Sequence, residues 1–175
     1  MQEALKLKND KYASLAAYYH LLYYYNRSEQ DSVAKWIVRM EPYVQRSGLW
    51  DYFFDAQRFQ IDLYTFTEQY ELAISEANKM KQKALNTNSN RGTVAAYQCL
   101  SNAYIGSQRW NEGLKALEEA YRLLPKKGNA VVHISVLSQL VSVTKEMKDN
   151  NRQLKYLQEL ESVPVSYTHL TLPTT

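Results

Sequence analysis

The sequence has a single cysteine, Cys99, and none of the familiar phosphate-binding or nucleophile motifs. One cysteine excludes an internal disulfide and any cysteine-based metal cluster within one chain. Without a G-x-G-x-x-G, a P-loop or a serine nucleophile elbow, nucleotide binding and acyl transfer have no motif to support them. Cys99 lies beside Leu100 in an apolar helical pattern, so we expect an inert buried thiol and no catalytic residue.

The chain also lacks a run of about eighteen apolar residues, which a membrane-spanning helix requires. Its first residues carry no apolar core with a small-residue cleavage site, so no signal peptide is predicted. We expect a soluble, cytoplasmic chain, with a periplasmic location as the alternative if a signal or anchor was lost upstream. Membrane contact is expected only through missing flanking segments.

The net charge is small, because 21 Lys and Arg stand against 18 Asp and Glu. The two signs are interspersed and form no basic face of the kind that binds nucleic acid. His20 and His133 have no second His or Cys at helical spacing, and His169 lies in an anomalous C-terminal segment. No nucleic-acid partner, no metal site and no cofactor is therefore predicted.

The composition changes abruptly near the C-terminus. After Pro164, helix-forming residues give way to a segment rich in Thr and Leu, 165–175, which resembles the translation of a sequencing adapter. Artificial tails are excluded from fold reasoning, so we expect residues 165–175 to be non-native and disordered, with the natural continuation missing. Residues 1–10 are interpreted as the tail of a possible preceding helix, and 11–164 as one repeat domain.

An internal repeat runs through the chain with a period of forty residues. Residues 113–119 return forty positions later as 153–159, and 73–77 stand forty positions earlier. One repeat further back, residues 34–38 lie thirty-nine positions before residues 73–77. A period of a few tens of residues is typical of stacked helical units.

Apolar residues recur at spacings of three and four, as on one face of a helix, and clusters of Asn, Ser, Gly and Asp separate the periodic stretches. This spacing does not favour β-strands, because strands would show period-two alternation of β-branched residues. The sequence predicts an all-α fold of four antiparallel helix hairpins. Its helices are predicted at residues 11–27, 31–46, 50–67, 70–86, 91–107, 110–124, 130–147 and 150–162.

The third hairpin resembles a tetratricopeptide repeat, since it carries the W-x2-L-G-x2-Y spacing, the A-x3-F step and a closing proline. Ser101 and Gly113 replace the usual Gly and Ala, and both are small enough for two helices to approach closely. The resemblance implies a right-handed α-solenoid with helices longer than those of the common repeat. The repeat-packing residues are Tyr97, Leu100, Ser101, Tyr104, Gly113, Leu117, Ala120 and Pro125.

The same resemblance implies that the first helix of each hairpin lines a groove for a peptide or protein segment. Asn102 is the most suggestive position, because an amide can donate to and accept from a peptide backbone. Arg58 and Asp62, one turn apart, are interpreted as a solvated ion pair or as a peptide contact. The predicted groove residues are Tyr19, His20, Tyr23, Arg58, Asp62, Gln98, Asn102, Ser138 and Ser142.

The tyrosine-rich segment 17–26 is interpreted first as packing between helices and second as a platform for a ligand. Leu154, Leu157 and Leu160 of the last helix have no following hairpin to cover them, so an adhesive or frayed C-terminal end is expected.

The long repeats and the run 95–104 resemble the repeat-bearing input regions of sensor histidine kinases of Bacteroidetes. This resemblance implies a non-catalytic binding module that senses a ligand or partner within a larger two-component signalling protein. A free-standing scaffold or co-chaperone, and the repeat domain of a glycan-uptake lipoprotein, remain as alternatives. An enzyme would require a catalytic domain appended at either end.

Overall fold

The computed structural model describes residues 2–125 and 130–163, so the proposed adapter tail lies outside the described residues, as does His169 within it. Across these two ranges the secondary structure is helical, with eight helices and no strand, and the predicted all-α fold is confirmed. The helices are α1 (Gln2–Tyr25), α2 (Gln30–Ser47), α3 (Trp50–Phe66), α4 (Tyr70–Asn86), α5 (Asn90–Gly106), α6 (Trp110–Arg122), α7 (Ala130–Glu146) and α8 (Asn150–Glu161).

Helix α1 begins well before the predicted start at residue 11. It runs without a break from Gln2, so residues 2–10 are continuous with α1 and are not the tail of a separate helix. The last of these residues contacts α2 instead. Asp10 is buried and accepts two hydrogen bonds of 2.9 Å from the Arg46 guanidinium of α2. The Ser14 hydroxyl donates to the Asp10 carbonyl at 2.8 Å.

The chain divides into two compact units, Met1–Leu123 and Leu124–Thr175. In the first unit consecutive helices from α1 to α6 pack against each other, and α3 also contacts both α1 and α5. The first helices of successive hairpins are therefore neighbours, which is the arrangement of a solenoid-like repeat. In the second unit α7 packs against α8. The single domain expected over 11–164 stays a prediction.

The turn inside each hairpin repeats with a period of forty residues. Ser28, Glu68, Gln108 and Lys148 have positive φ angles of 56°, 61°, 63° and 58°. In every case the next amide donates to a carbonyl five residues earlier, as Gln69 N does to Tyr64 O at 2.8 Å. This is the Schellman end of a helix. The exact repetition shows that all four hairpins share one register.

This register corrects the spacing of thirty-nine residues assigned to the first repeat. Val33, which stands forty residues before Ala73, is fully buried like Ala73, whereas Ala34 is only partly buried. The alignment of two alanines was coincidental. The buried position, and not the residue type, is what the repeat preserves.

Small residues lie where the two helices of the third hairpin meet. A Cβ added to Gly113 of α6 would lie 3.3 Å from the Ser101 carbonyl oxygen of α5 and 2.7 Å from Ile105 Cγ1. The two small positions therefore mark a close approach of α5 and α6. Leu100, Leu117 and Ala120 are buried around this contact, while Tyr97 and Tyr104 are half-buried and Pro125 is exposed after the end of α6.

Candidate functional site

The candidate site lies on the first helices of the first unit, α1, α3 and α5. Helical spacing places Arg58 and Asp62 on one stripe of α3, and the forty-residue register places Gln98 and Asn102 on the matching stripe of α5. We call the surface formed by these stripes and by Tyr18 and Tyr25 of α1 the first-helix surface.

The register changes the assignment on α1. The positions equivalent to Arg58 and Asp62 are Tyr18 and Leu22, each one residue before the predicted Tyr19 and Tyr23. A shift of one residue rotates a side chain by about 100° around a helix. Tyr19 and Tyr23 consequently lie on a different, solvent-exposed face of α1.

Aromatic rings join α1 to α3 at this surface. The Tyr18 ring packs edge-on against Tyr52 at 5.1 Å between centroids, and the Tyr25 ring lies 4.6 Å from that of Phe59. The Arg58 guanidinium lies 4.9 Å from the Phe59 ring centroid. Burial raises the pKa values of the Tyr18 and Tyr25 phenols. Packing between helices is thus shown for these two members of the tyrosine-rich segment.

Charged side chains continue the surface across α3 and α5. The predicted ion pair within α3 is present, with Arg58 Nη1 3.8 Å from Asp62 Oδ2. Arg91 of α5 bonds Asp55 of α3 at 2.8 Å and lies 3.7 Å from Asp51. Each acid of α3 on this stripe therefore has an arginine nearby.

Asp62 is the carboxylate with the least favourable surroundings on this surface. Its side chain is 29% exposed, and burial raises the pKa of its carboxyl group while Arg58 partly opposes the increase. The Arg58 contact is longer than a hydrogen bond and does not fully replace the lost hydration. A carboxylate whose pKa is perturbed in this way is a candidate contact for a ligand.

Cys99 of α5 is buried, as the sequence predicts. Burial raises the pKa of its thiol, and the nearby charge of Asp62 acts in the same direction. Because the thiolate is the nucleophilic form of cysteine, this environment suppresses its reactivity.

The other predicted groove residues are placed as follows. His20 stacks on Trp36 of α2, with ring centroids 4.4 Å apart and planes at 6°, so it faces the partner helix of its own hairpin. Gln98 and Asn102 are half-buried on α5, while Ser138 and Ser142 are exposed on α7 of the second unit. The structure therefore brings together the predicted residues of α3 and α5 and leaves those of α1 outside the first-helix surface.

Sequence reasoning missed Tyr18, Tyr25, Asp55 and Arg91 at this surface. Tyr18 could have been found from a strict forty-residue offset before Arg58. The pairing of Arg91 with Asp55 joins different helices and depends on how α3 and α5 pack, so no local pattern indicates it.

Other features of the described residues offer no competing site. No group of three or more His, Cys, Asp or Glu in these ranges could hold a metal ion. None of the eight helices is both long and apolar enough to cross a membrane. A shallow, open depression on α4 is lined by polar side chains of that helix alone: Ser75, Asn78, Lys79, Gln82, Lys83 and Asn86.

Comparisons with protein-family models, with curated proteins and with solved structures found no match. The observed architecture defines the class as an all-α, solenoid-like helical-repeat protein.

Proposed function

We propose that this chain is a non-catalytic repeat module that binds a peptide or protein segment across the first-helix surface. The observation that supports this most directly is the adjacency of α1, α3 and α5. It sets an aromatic cluster, a pair of opposite charges and two amides beside one another on three neighbouring helices. A surface of this kind suits recognition of an extended segment by several side chains at once.

Each part of the surface has a distinct role in the proposed complex. The rings of Tyr18, Tyr25 and Phe59 supply apolar area for a side chain of the ligand. Asp62 accepts hydrogen bonds from a cationic or amide group, which also offsets the cost of its burial. Asn102 contributes a side-chain amide, which can donate to or accept from the ligand backbone.

The absence of catalysis is part of the proposal. Acyl or phosphoryl transfer needs a nucleophile, a base and an orienting partner within hydrogen-bond reach. The chain's one thiol is buried with a raised pKa. Binding without covalent chemistry is the simplest use of the remaining groups.

We further propose that the module is the input region of a two-component sensor histidine kinase. This step rests on the sequence resemblance of the repeats. In such a protein, ligand binding across α1, α3 and α5 would favour one arrangement of the stacked helices over another. A segment that follows the repeats would transmit this change.

Selection from a displayed library of random peptides tests the binding function. Selected peptides are synthesised and their affinities for the wild-type chain and for the variants Asp62→Asn and Asn102→Ala are measured by calorimetry. We expect each substitution to weaken binding about tenfold, which corresponds to the loss of one well-placed hydrogen bond to a charged or amide group.

Gln82→Ala is the matched control, because Gln82 is an exposed amide on α4, away from the first-helix surface. It should leave the affinity unchanged. Enrichment of no peptide, or equal binding by wild-type chain and both variants, would refute the proposal.

A further inference from the structure

Asp62 lies on the middle one of the three helices that form the first-helix surface. Helix α3 contacts both α1 and α5, so repeats outside this sequence would not be its neighbours. Burial raises the pKa of the Tyr25 phenol on α1 and that of the Cys99 thiol on α5, and in both cases the negative charge of Asp62 adds to the increase. The carboxylate therefore lies between α1 and α5, within electrostatic reach of each.

The chain itself compensates the charge of Asp62 only in part. The side chain is 29% exposed, and Arg58 is its only ion-pair partner within the described residues, at 3.8 Å. The Arg58 guanidinium is 39% exposed and lies 4.9 Å from the Phe59 ring centroid, so the carboxylate shares it with the ring and with water. An ionised carboxylate offers about four acceptor sites. Asp62 can therefore accept hydrogen bonds from a cation outside the chain.

The other two aspartates of α3 have a closer partner or more water. Asp55 accepts a hydrogen bond of 2.8 Å from Arg91, and Asp51 lies 3.7 Å from the same guanidinium and is 58% exposed. Together α3 and α5 carry these three aspartates and two arginines, which leaves one negative charge in excess. A cationic ligand suits this excess, whereas an acidic one would bring a like charge to Asp62.

Phe66 provides an exposed ring one turn beyond Asp62 on the same stripe of α3. It is 83% exposed, more than any other large apolar side chain in the described residues. The equivalent position on α5 is Gly106, so the neighbouring first helix has no side chain there to cover the ring. Lysine and arginine combine an apolar stem with a charged end. A ring and a half-buried carboxylate one turn apart match both parts of such a side chain.

We propose that the first-helix surface selects segments that carry a lysine or an arginine, whose cationic group binds the Asp62 carboxylate while its alkyl stem lies against the Phe66 ring. This inference rests on the proposed binding function and adds the chemical class of the ligand. The packed rings of Tyr25 and Phe59 keep part of the water away from Asp62, so the ion pair is stronger than one on an open surface.

Peptides selected from the random library on the wild-type chain provide the first measurement. We expect most of them to carry lysine or arginine at one position, well above the frequency in the unselected library. Each selected peptide is then remade with norleucine in place of lysine, or citrulline in place of arginine, which removes the charge and keeps the length of the side chain. This replacement should weaken binding to the wild-type chain about tenfold by calorimetry.

Asp62→Asn identifies the residue that recognises the charge. The charged and the neutral peptide should bind this variant with nearly equal affinity, which assigns the preference to Asp62 in a double-mutant cycle across the interface. Asp51→Asn is the matched control, since it removes a more exposed carboxylate of the same helix, and it should keep the preference. Phe66→Ala should weaken both peptides alike by about threefold, because both retain the apolar stem.

The outcomes separate this inference from the binding function on which it rests. Enrichment of no peptide overturns both. Selected peptides without a basic residue overturn the inference alone, as does equal binding of the charged and neutral peptides to the wild-type chain, a comparison that needs no variant. A loss on charge removal that is the same for the wild-type chain and Asp62→Asn also overturns it, provided that circular dichroism shows the variant to be helical.

Discussion

Asp10 of α1 and Arg46 of α2 form a two-pronged ion pair, with Arg46 Nε and Nη2 each 2.9 Å from a different oxygen of Asp10. The pair joins residues 36 positions apart and fixes the N-terminal turns of α1 against the end of α2. Bidentate geometry of this kind is stronger and more directional than an ordinary surface ion pair. It anchors the turn of α1 that lies just before the start that the apolar pattern predicts.

Asp10→Asn should lower the thermal midpoint of unfolding at neutral pH, and the difference from wild type should vanish in acid. Arg46 holds the pKa of Asp10 below its ordinary value. The stabilisation is therefore complete above the unfolded pKa of about 3.9 and is lost as the pH falls through the lower folded value. Thermal scans of both proteins across the acidic range measure this directly.

A double-mutant cycle separates the pair from its neighbours. If Asp10 and Arg46 act together, adding Arg46→Gln to Asp10→Asn should cost little more than the first substitution alone. Fully additive losses at neutral pH would show that the two side chains stabilise the chain independently.

The helices could be predicted because apolar spacing and turn clusters are local properties of the sequence. The register of the first repeat could not be predicted in this way. Ala34 matches Ala73 in residue type but is one position out of register, whereas Val33 is in register but differs in residue type. The fold repeats the burial of the position that Val33 occupies and the left-handed backbone at Ser28. The residue types at these two positions do not indicate either property.

This error carried over into the candidate site. Placing Tyr19 instead of Tyr18 opposite α3 moved the predicted groove of α1 to a neighbouring face. The positions on α3 and α5 are in register with each other, because they are separated by the same forty residues as the turns. The division into exposed and packed tyrosines within segment 17–26 depends on contacts with α2 and α3, which the sequence of α1 alone does not contain.

Ser101→Ala should stabilise the chain by about 1–3 kcal/mol, because a buried hydroxyl without a partner keeps its full desolvation cost. Ser101 is fully buried in α5, and its Oγ makes no hydrogen bond. Alanine removes that group and favours the helix. Ser75→Ala on the exposed side of α4 is the control, and its free energy of unfolding should rise only by the smaller difference in helix propensity between serine and alanine. Equal increases in the free energy of unfolding of the two variants, measured with urea, would contradict this account of Ser101.

Gly92→Ala should destabilise the chain by about 1–3 kcal/mol, as overpacking of a core does. The added Cβ would stand 2.5 Å from the ring of Phe54, which is almost completely buried and has no room to turn away. The direction is informative, because alanine normally favours a helix over glycine by about 1 kcal/mol. Urea unfolding measures the sign, and a stabilised variant would mean that α5 can move away from α3 at little cost.

Gln108→Gly should stabilise the chain by about 1 kcal/mol. Gln108 is exposed and holds a φ of 63° in the turn between α5 and α6. A left-handed conformation costs an ordinary L-residue about 1–2 kcal/mol, and glycine avoids this cost while losing somewhat more chain entropy on folding.

Lys148→Gly, at the equivalent turn between α7 and α8, should behave similarly. Gln82→Gly within α4 is the opposite control and should destabilise by about 1 kcal/mol. If glycine at position 108 lowered the urea midpoint as it does at position 82, the turn would be held by its glutamine side chain and not by backbone geometry.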